Sequence, residues 1–383
     1  MLDIQNIQPG EKTNREIHHF MLTFNIISMS ALKQVLGVDV AQKELVVTLG
    51  RLLADLSIDL YAHKVFSNTE KGFSSLLSWT KKLIDPDIEV RFVMEATGVY
   101  HQKFAYFLDD HGYALSIVLP NKISNYIRTL EIKTVTDKSC SEAIARFGLE
   151  RKLDKWKRPK STYKNLQQLT RERDQIVSER SVVKNQLHAE SQEAEPHERS
   201  LERLKERIRF LNRQELEIRE DINKIINQDT ELKKEIEIIS SIPGVGALTA
   251  IIILAETNGF ELIRNKKQLS SYAGFDVKEK QSGTSVKGKP RISKKGNRTL
   301  RKAMYFPAMT VVKFDNNFKN MFLRIVSKQG LKMKALVAVQ RKLLELAFTL
   351  FKTKANYQKE YETQKALHKN SMLPHRTETC YTG

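Results

Sequence analysis

QVLGVDVAQKELVVTLG, residues 34–50, decides the fold. Two apolar runs, QVLGVDVA and ELVVTLG, flank a tight turn at Gln42–Lys43 and read as two buried strands. Asp39 lies inside the first run, where a core residue is expected. A carboxylate there is costly unless it is paired, hydrogen-bonded or bound to a metal. Further along, LYAHKVF (60–66) alternates as a third strand, and Asn68 or Thr69 is placed to cap a helix through Leu83. That helix would turn Phe73, Leu76, Leu77 and Trp79 inward. VRFVMEA (90–96), a helix over 99–111 and ALSIVLP (114–120) complete the series. Three strands, helix, strand, helix, strand is the order of a mixed sheet flanked by helices.

Two more acids stand out by position. Glu95 closes the fourth strand beside Thr97 and Gly98, and Asp137 precedes the helical stretch SEAIARFG. Three converging carboxylates, with no cysteine or histidine set, favour a hard, oxygen-loving ion such as Mg²⁺. Taken singly, each acid also fits a cap or a turn. For Asp137 that is the simpler reading, and Asp39 fits it least.

The next stretch differs in kind. From Lys160 to Leu187 the chain is polar, with Leu166, Leu169, Ile176, Val183 and Leu187 as its apolar positions. After a break near Pro196 the series resumes from Leu201 through Leu211, Ile218 and Ile225 to Ile239 in steps of three and four. Glu215 and Asp229 interrupt it at seam positions. The spacing predicts two long helices and a coiled coil, as an intrachain hairpin or between chains.

SSIPGVGALTAIIILAE (240–256) follows. Its Gly244 and Gly246 turn before an apolar helix resembles a helix-hairpin-helix phosphate clamp, in which helix N-terminal amides face a nucleic-acid backbone. KKQLSSYAGF then leads into QSGTSVKGKPRISKKGNRTLRKAMY (281–305). This stretch joins Ser282 and Gly283 to Lys287, Lys289, Arg291, Lys294, Lys295, Arg298 and Arg301. Cations on a glycine-rich loop suit a polyanion held against the backbone. Read alone, the simpler reading is a solvated loop that only grips phosphate, with the serines as turn residues. Helices are expected over 300–312 and 330–351, the second with Leu336, Val339, Leu343, Leu346 and Leu350 on its apolar face.

Composition agrees with a nucleic-acid partner. The 383 residues carry a formal charge of +19. No apolar run reaches the roughly 18–20 residues of a spanning helix, so no membrane partner is expected. Cys140 and Cys380 form no metal or disulfide spacing, which suits a reducing cytosol. The opening residues lack a signal-peptide pattern, and Met29 would serve as a start.

In this order the motifs resemble the DEDD-type insertion-sequence transposases, including the Piv-type site-specific DNA invertases. The residues that carry it are GVDVAQKEL around Asp39, MEATGVY around Glu95 and TDKSCSEAIARFG from Thr136. In the second half they are IPGVGALTA, KKQLSSYAGF, the 281–301 stretch and KALVAVQRKLLEL. The resemblance implies an α/β RNase H-like (RuvC-like) N-terminal domain at 32–155 and long antiparallel or coiled-coil helices at 156–240. A mainly α-helical serine-bearing domain follows at 241–360, between a poorly ordered extension (1–31) and a tail (361–383). It implies Asp39, Glu95 and Asp137 as Mg²⁺ ligands and Ser282 as the nucleophile, a choice that sequence alone does not make over Ser285. The family's fourth acid falls where this chain has Cys140, a poor Mg²⁺ ligand. The expected activity is DNA cutting and rejoining through a phosphoserine–DNA intermediate, with the serine domain docked on the acids. Expected with it are a guide RNA in the insertion-sequence branch, a homo-dimer or tetramer through the coiled coil, and a cytoplasmic, nucleoid-associated location in bacteria. Two readings compete: a junction-resolvase-like metal nuclease, and a catalytically disabled nucleic-acid-binding relative.

Overall fold

The computed structural model describes residues 31–359 except 97, 262, 280, 283–285, 289 and 290; at 281, 282, 286, 287 and 329 only the backbone is described. Of the extension expected over 1–31 only Ala31 is described, and the tail over 361–383 lies outside the described residues. Two compact units divide between Arg158 and Pro159.

The first unit is built on strands β1 (Ala31–Val40), β2 (Glu44–Leu53) and β3 (Ile58–Ser67), then β4 (Val90–Glu95) and β5 (Ala114–Val118). They form one sheet in the order β3-β2-β1-β4-β5. β1–β2 and β2–β3 pair antiparallel, whereas β1–β4 and β4–β5 pair parallel. This mixed sheet, flanked by helices, agrees with the RNase H-like reading. Successive strand residues point to opposite faces, and the two faces bury different sets. Leu36, Val38, Phe92 and Met94 pack with Phe73, Leu76, Phe104 and Leu108 from α1 (Glu70–Lys81) and α2 (His101–Asp110). Val35 and Val93 pack on the other face with Ile144 and Leu149 of α4 (Asp137–Glu150). A short helix, α3 (Pro120–Ile127), had no sequence expectation and begins at a proline, which is tolerated in the first turn. Gln34 is buried without penalty: its amide nitrogen donates to Asp85 O and Ile88 O at 2.9 and 3.0 Å, and its oxygen accepts from Asp85 N.

The second unit begins with α5 (Ser161–Glu190) and α6 (Glu198–Gln228). They run antiparallel, as Arg173 meets Glu215 while Arg207 meets Glu179. Leu166, Ile176 and Val183 join Leu211, Ile218 and Ile222 in the buried seam. Glu215 occupies its seam position by binding Arg173 at 2.6 Å, Arg219 at 2.8 Å and Arg180.

Asp229 acts differently. The continuous seam expected to Ile239 is broken there, because Asp229 leaves helical geometry and its carboxylate accepts from Leu232 N at 2.9 Å. It caps a separate helix, α7 (Thr230–Ser240). After α8 (Ala247–Thr257), α9 (Lys266–Ala273) starts at an Asn265 cap.

The helix expected over 300–312 is two helices, α10 (Arg298–Ala303) and α11 (Tyr305–Phe314). Pro307 lacks an N–H and its ring conflicts with the carbonyl four residues back, at Ala303. α12 (Asn316–Gln329) had no expectation, and α13 (Lys332–Thr353) buries Leu336, Val339, Leu343 and Leu350 as its spacing predicts. All of these helices share one core with the long hairpin.

Candidate active site and nucleic-acid interface

Strand alternation places the acids. Val35, Gly37 and Asp39 share the α4 face of β1, and Val93 and Glu95 share that face of β4. Register runs in parallel from Gln34↔Val90 to Val38↔Met94, so Asp39 and Glu95 follow as neighbours on adjacent strands.

α4 runs back along β1. A Cβ on Gly148 would meet Val35 and Val93, and a Cβ on Gly37 would lie 2.3 Å from Ala145 N and 2.5 Å from Ser141 O. Two strand residues span about 6.6 Å and four helical residues about 6 Å. The start of α4 therefore comes to Asp39, and with it Asp137. The start itself is fixed: Ser139 N donates to Thr136 Oγ1 at 3.2 Å and Thr136 N donates to Ser139 Oγ at 2.7 Å. Buried Ser141 also holds Thr48 of β2 through a 2.7 Å hydroxyl pair.

The electrostatics agree with this placement. Burial, with the charges of Asp137 and Glu95, pushes the Asp39 carboxyl up to about 6 against the pull of the Val40 N–H. Cys140, three residues along α4, lies on the same side. Burial and the charges of Asp39, Glu95 and Asp137 push its thiol up to about 11. A soft thiol is a poor ligand for a hard ion such as Mg²⁺. Glu142 does not replace it. The segment is helical from Asp137, which puts Glu142 roughly 140° around the helix, where it faces Lys138 at 3.9 Å.

Mg²⁺ fits this donor set in charge and hardness. Among the described residues no three Asp, Glu, His or Cys side chains close into a ready-made metal group. Mg²⁺ commonly takes one or two carboxylates and completes its shell with water and substrate phosphate.

In the second unit the basic stretch differs from the loop expected. β6 (Val277–Lys278) pairs with β9 (Arg291–Ile292), and β7 (Gln281–Ser282) pairs with β8 (Val286–Lys287), both antiparallel. Ser282 is thus on a short ribbon opposite Val286. Gly283 and Lys289 lie outside the described residues, as does Ser285; Lys287 is placed by its backbone in β8.

Below the ribbon the chain is tied down. Ser293 donates to Asp276 through N at 2.8 Å and through Oγ at 2.5 Å. Asn297 caps α10 and donates at 2.6 Å to buried Glu256, which Arg171 of α5 grips at 2.7 and 2.8 Å. Arg291, Lys294, Lys295 and Arg298 are exposed, whereas Arg301 turns back to donate to Ala273 O at 2.7 Å. Gly246 precedes α8 with open space at its Cβ position. Gly244, at φ +85°, approaches Pro307 O of α11, so its lack of a side chain is already required by packing.

Sequence reasoning missed Glu256 and Asp276. Glu256 ends the apolar run AIIILAE, so the signal that singled out Asp39, an acid in a core position, was present there too.

Comparisons with known proteins cover both halves. The model described as "Transposase IS116/IS110/IS902 family" matches residues 236–323, and a DEDD transposase model of the IS110 type matches residues 36–196. The first contains Ser282 and the basic stretch, the second the three acids. The pilin gene-inverting protein of Moraxella bovis is 26% identical over 296 residues, covering 77% of this chain and 90% of that protein. The transposase for insertion sequence element IS1111A of Coxiella burnetii is 24% identical over 294 residues, covering 69% and 78%. Among solved structures, Thermus thermophilus RuvC in complex with a Holliday junction substrate aligns with 32% of this chain and 99% of its own. The two share 9% identity, with a TM-score of 0.25. No described helix is long and apolar enough to cross a membrane. With family matches over both the acid-bearing and the serine-bearing halves, the chain belongs to the DEDD-type IS110 transposase and Piv-type invertase family and is a DNA recombinase.

Proposed function

We propose that this recombinase cuts and rejoins DNA by serine attack at phosphorus, with Asp39, Glu95 and Asp137 holding Mg²⁺. The observation that carries the reading is the gathering of these acids at one end of β1, β4 and α4, where Asp39 is pushed up to about 6. A fold that sets carboxylates against one another suits a cation placed among them. Mg²⁺ bound there would supply Lewis-acid polarisation of the scissile phosphate.

The remaining chemistry belongs to the chain. The Ser282 hydroxyl forms the new O–P bond, the P–O bond to the departing strand breaks, and the proton leaves with that strand's hydroxyl. A hydroxyl from a second strand then attacks the phosphoserine and returns the proton to Ser282, so no high-energy cofactor is consumed. Exposed Arg291, Lys294, Lys295 and Arg298 suit the flanking phosphates. The same basic surface would accept a structured guide RNA. Val182, Phe210 and Leu216, exposed on the long hairpin, support assembly into a dimer or tetramer.

Trapping on a denaturing gel tests the mechanism, using DNA flanking the encoding gene, Mg²⁺ and any co-purifying RNA. A covalent protein–DNA band is expected for the wild type and not for Ser282→Ala. A band that survives Ser282→Ala would overturn the serine assignment. Cys140 supports a second reading, a disabled recombinase, because a thiol, a poor Mg²⁺ ligand, stands where the family has an acid. That reading expects a band only in Cys140→Asp.

A further inference from the structure

A cavity of about 530 Å³ opens between the end of the basic ribbon, α10, α11 and α13, within the second unit. Its lining combines three kinds of chemistry. Phe275, Ile292, Tyr305 and Phe306 give it an apolar and aromatic wall, and Phe306 is 73% exposed. Arg298, Arg301, Lys294 and Lys302 supply cations, and among the described residues no acid lines it. Lys302 is paired with Asp174 outside the lining, whereas among the described residues neither Lys294 nor Arg298 has an acidic partner. The third element is Gln340 of α13. The residue is only 4% exposed, and its side-chain amide has no hydrogen bond among the described residues; it is not one of the fully buried unpartnered groups, so its exposed part is open to the cavity. An amide that faces a cavity with no protein partner leaves its donor and acceptor available to a ligand.

From this combination we infer that the cavity receives an unpaired base of single-stranded DNA. Aromatic faces stack on any base, and the surrounding cations follow its phosphates. The Gln340 carbonyl and NH₂ together match the paired donor and acceptor on a base edge. A duplex keeps its bases stacked and does not offer that surface, whereas recombination requires strands to be separated and exchanged. The site shares Lys294 and Arg298 with the proposed phosphate-binding surface, but binding there needs neither the serine chemistry nor a metal.

Fluorescence titration in EDTA tests it, using a single-stranded DNA oligonucleotide carrying 2-aminopurine, its duplex, and the RNA of the same sequence. Wild type should quench the single strand. Phe306→Ala should weaken single-strand binding about tenfold, leave duplex binding unchanged, and be rescued by Phe306→Trp. Because Phe306 is exposed, this substitution should not affect folding, and circular dichroism checks that. Gln340→Met should flatten the preference among the four bases at the probe position. Equal losses for single strand and duplex, no loss for either, or a loss confined to RNA would overturn the inference. So would a change of association state in Phe306→Ala with DNA binding intact, which would make the wall a protein contact.

Discussion

Asp39 and Glu215 are both carboxylates set among apolar neighbours, and their surroundings are opposite in sign. Asp39 faces Asp137 and Glu95, and its carboxyl is pushed up to about 6. Glu215 is also penalised by burial, but hydrogen bonds and charges from Arg219, Arg180 and Arg173 outweigh that and hold its carboxyl below the usual range. The second carboxylate is complete within the fold, since every charge it needs is on α5 or α6. The first is a repulsive group that lowers stability and would be relieved by the cation proposed there. An acid surrounded by acids is therefore a candidate for cation binding, and an acid surrounded by arginines marks architecture.

The largest effect should separate them in catalysis. Asp39→Asn removes a proposed ligand whose ion is worth several kcal/mol to the reaction. Strand transfer should fall on the order of 10³-fold, measured by product formation under saturating Mg²⁺. Glu215→Gln, which keeps the shape, should leave activity of the folded protein near wild type. Activity unaffected by Asp39→Asn would dissolve the contrast.

Stability should show the next effect. Glu215→Ala leaves Arg173 and Arg180 facing one another in a partly buried seam, and should cost about 3 kcal/mol in denaturant unfolding. The contribution of Glu215 is present at neutral pH and disappears as pH falls through the carboxylate range.

Asp39 should behave in reverse, by a smaller amount. Its folded state takes up protons between the ordinary value of 3.8 and about 6, so stability should fall as pH rises through that window. Since Asp39 is only half-buried, solvent screening reduces the effect to about 1 kcal/mol. In Mg²⁺-free buffer at pH 7, Asp39→Asn should raise Tm by about 2–4 °C. Mg²⁺ should raise the wild-type Tm and leave that of Asp39→Asn nearly unchanged. An equal Mg²⁺ shift in both proteins would place the ion elsewhere.

Much of this contrast was legible in the sequence, and the rest was hidden for identifiable reasons. The five strands appear because short apolar runs rich in β-branched residues, buried on both faces in β1 and β2, act over short range. Asp39 stands out against that background, and Glu215 and Asp229 stand out against the heptad seam. What the pattern could not separate was the fate of those two seam acids. Asp229 has a local alternative, capping the next helix three residues on, whereas Glu215 depends on arginines of α5 that are distant in sequence. The short ribbon at 277–292 escaped because two-residue strands carry no alternation. The Gln340 amide escaped because its surroundings come from three other elements. α12 escaped because its polar residues mask the face that Phe318 presents to the core.

The two glycine contacts under α4 have a mechanical consequence. At Gly37 the backbones of helix and strand touch, and at Gly148 the helix rests directly on Val35 and Val93. The helix is thus clamped at two fulcrums, and Asp137 is carried at its free end, about 16 Å along the axis from Gly148. A side chain added at Gly148 would act as a wedge and tilt the whole rod. The displacement would be greatest at the carboxylate, although the wedge itself lies three turns away.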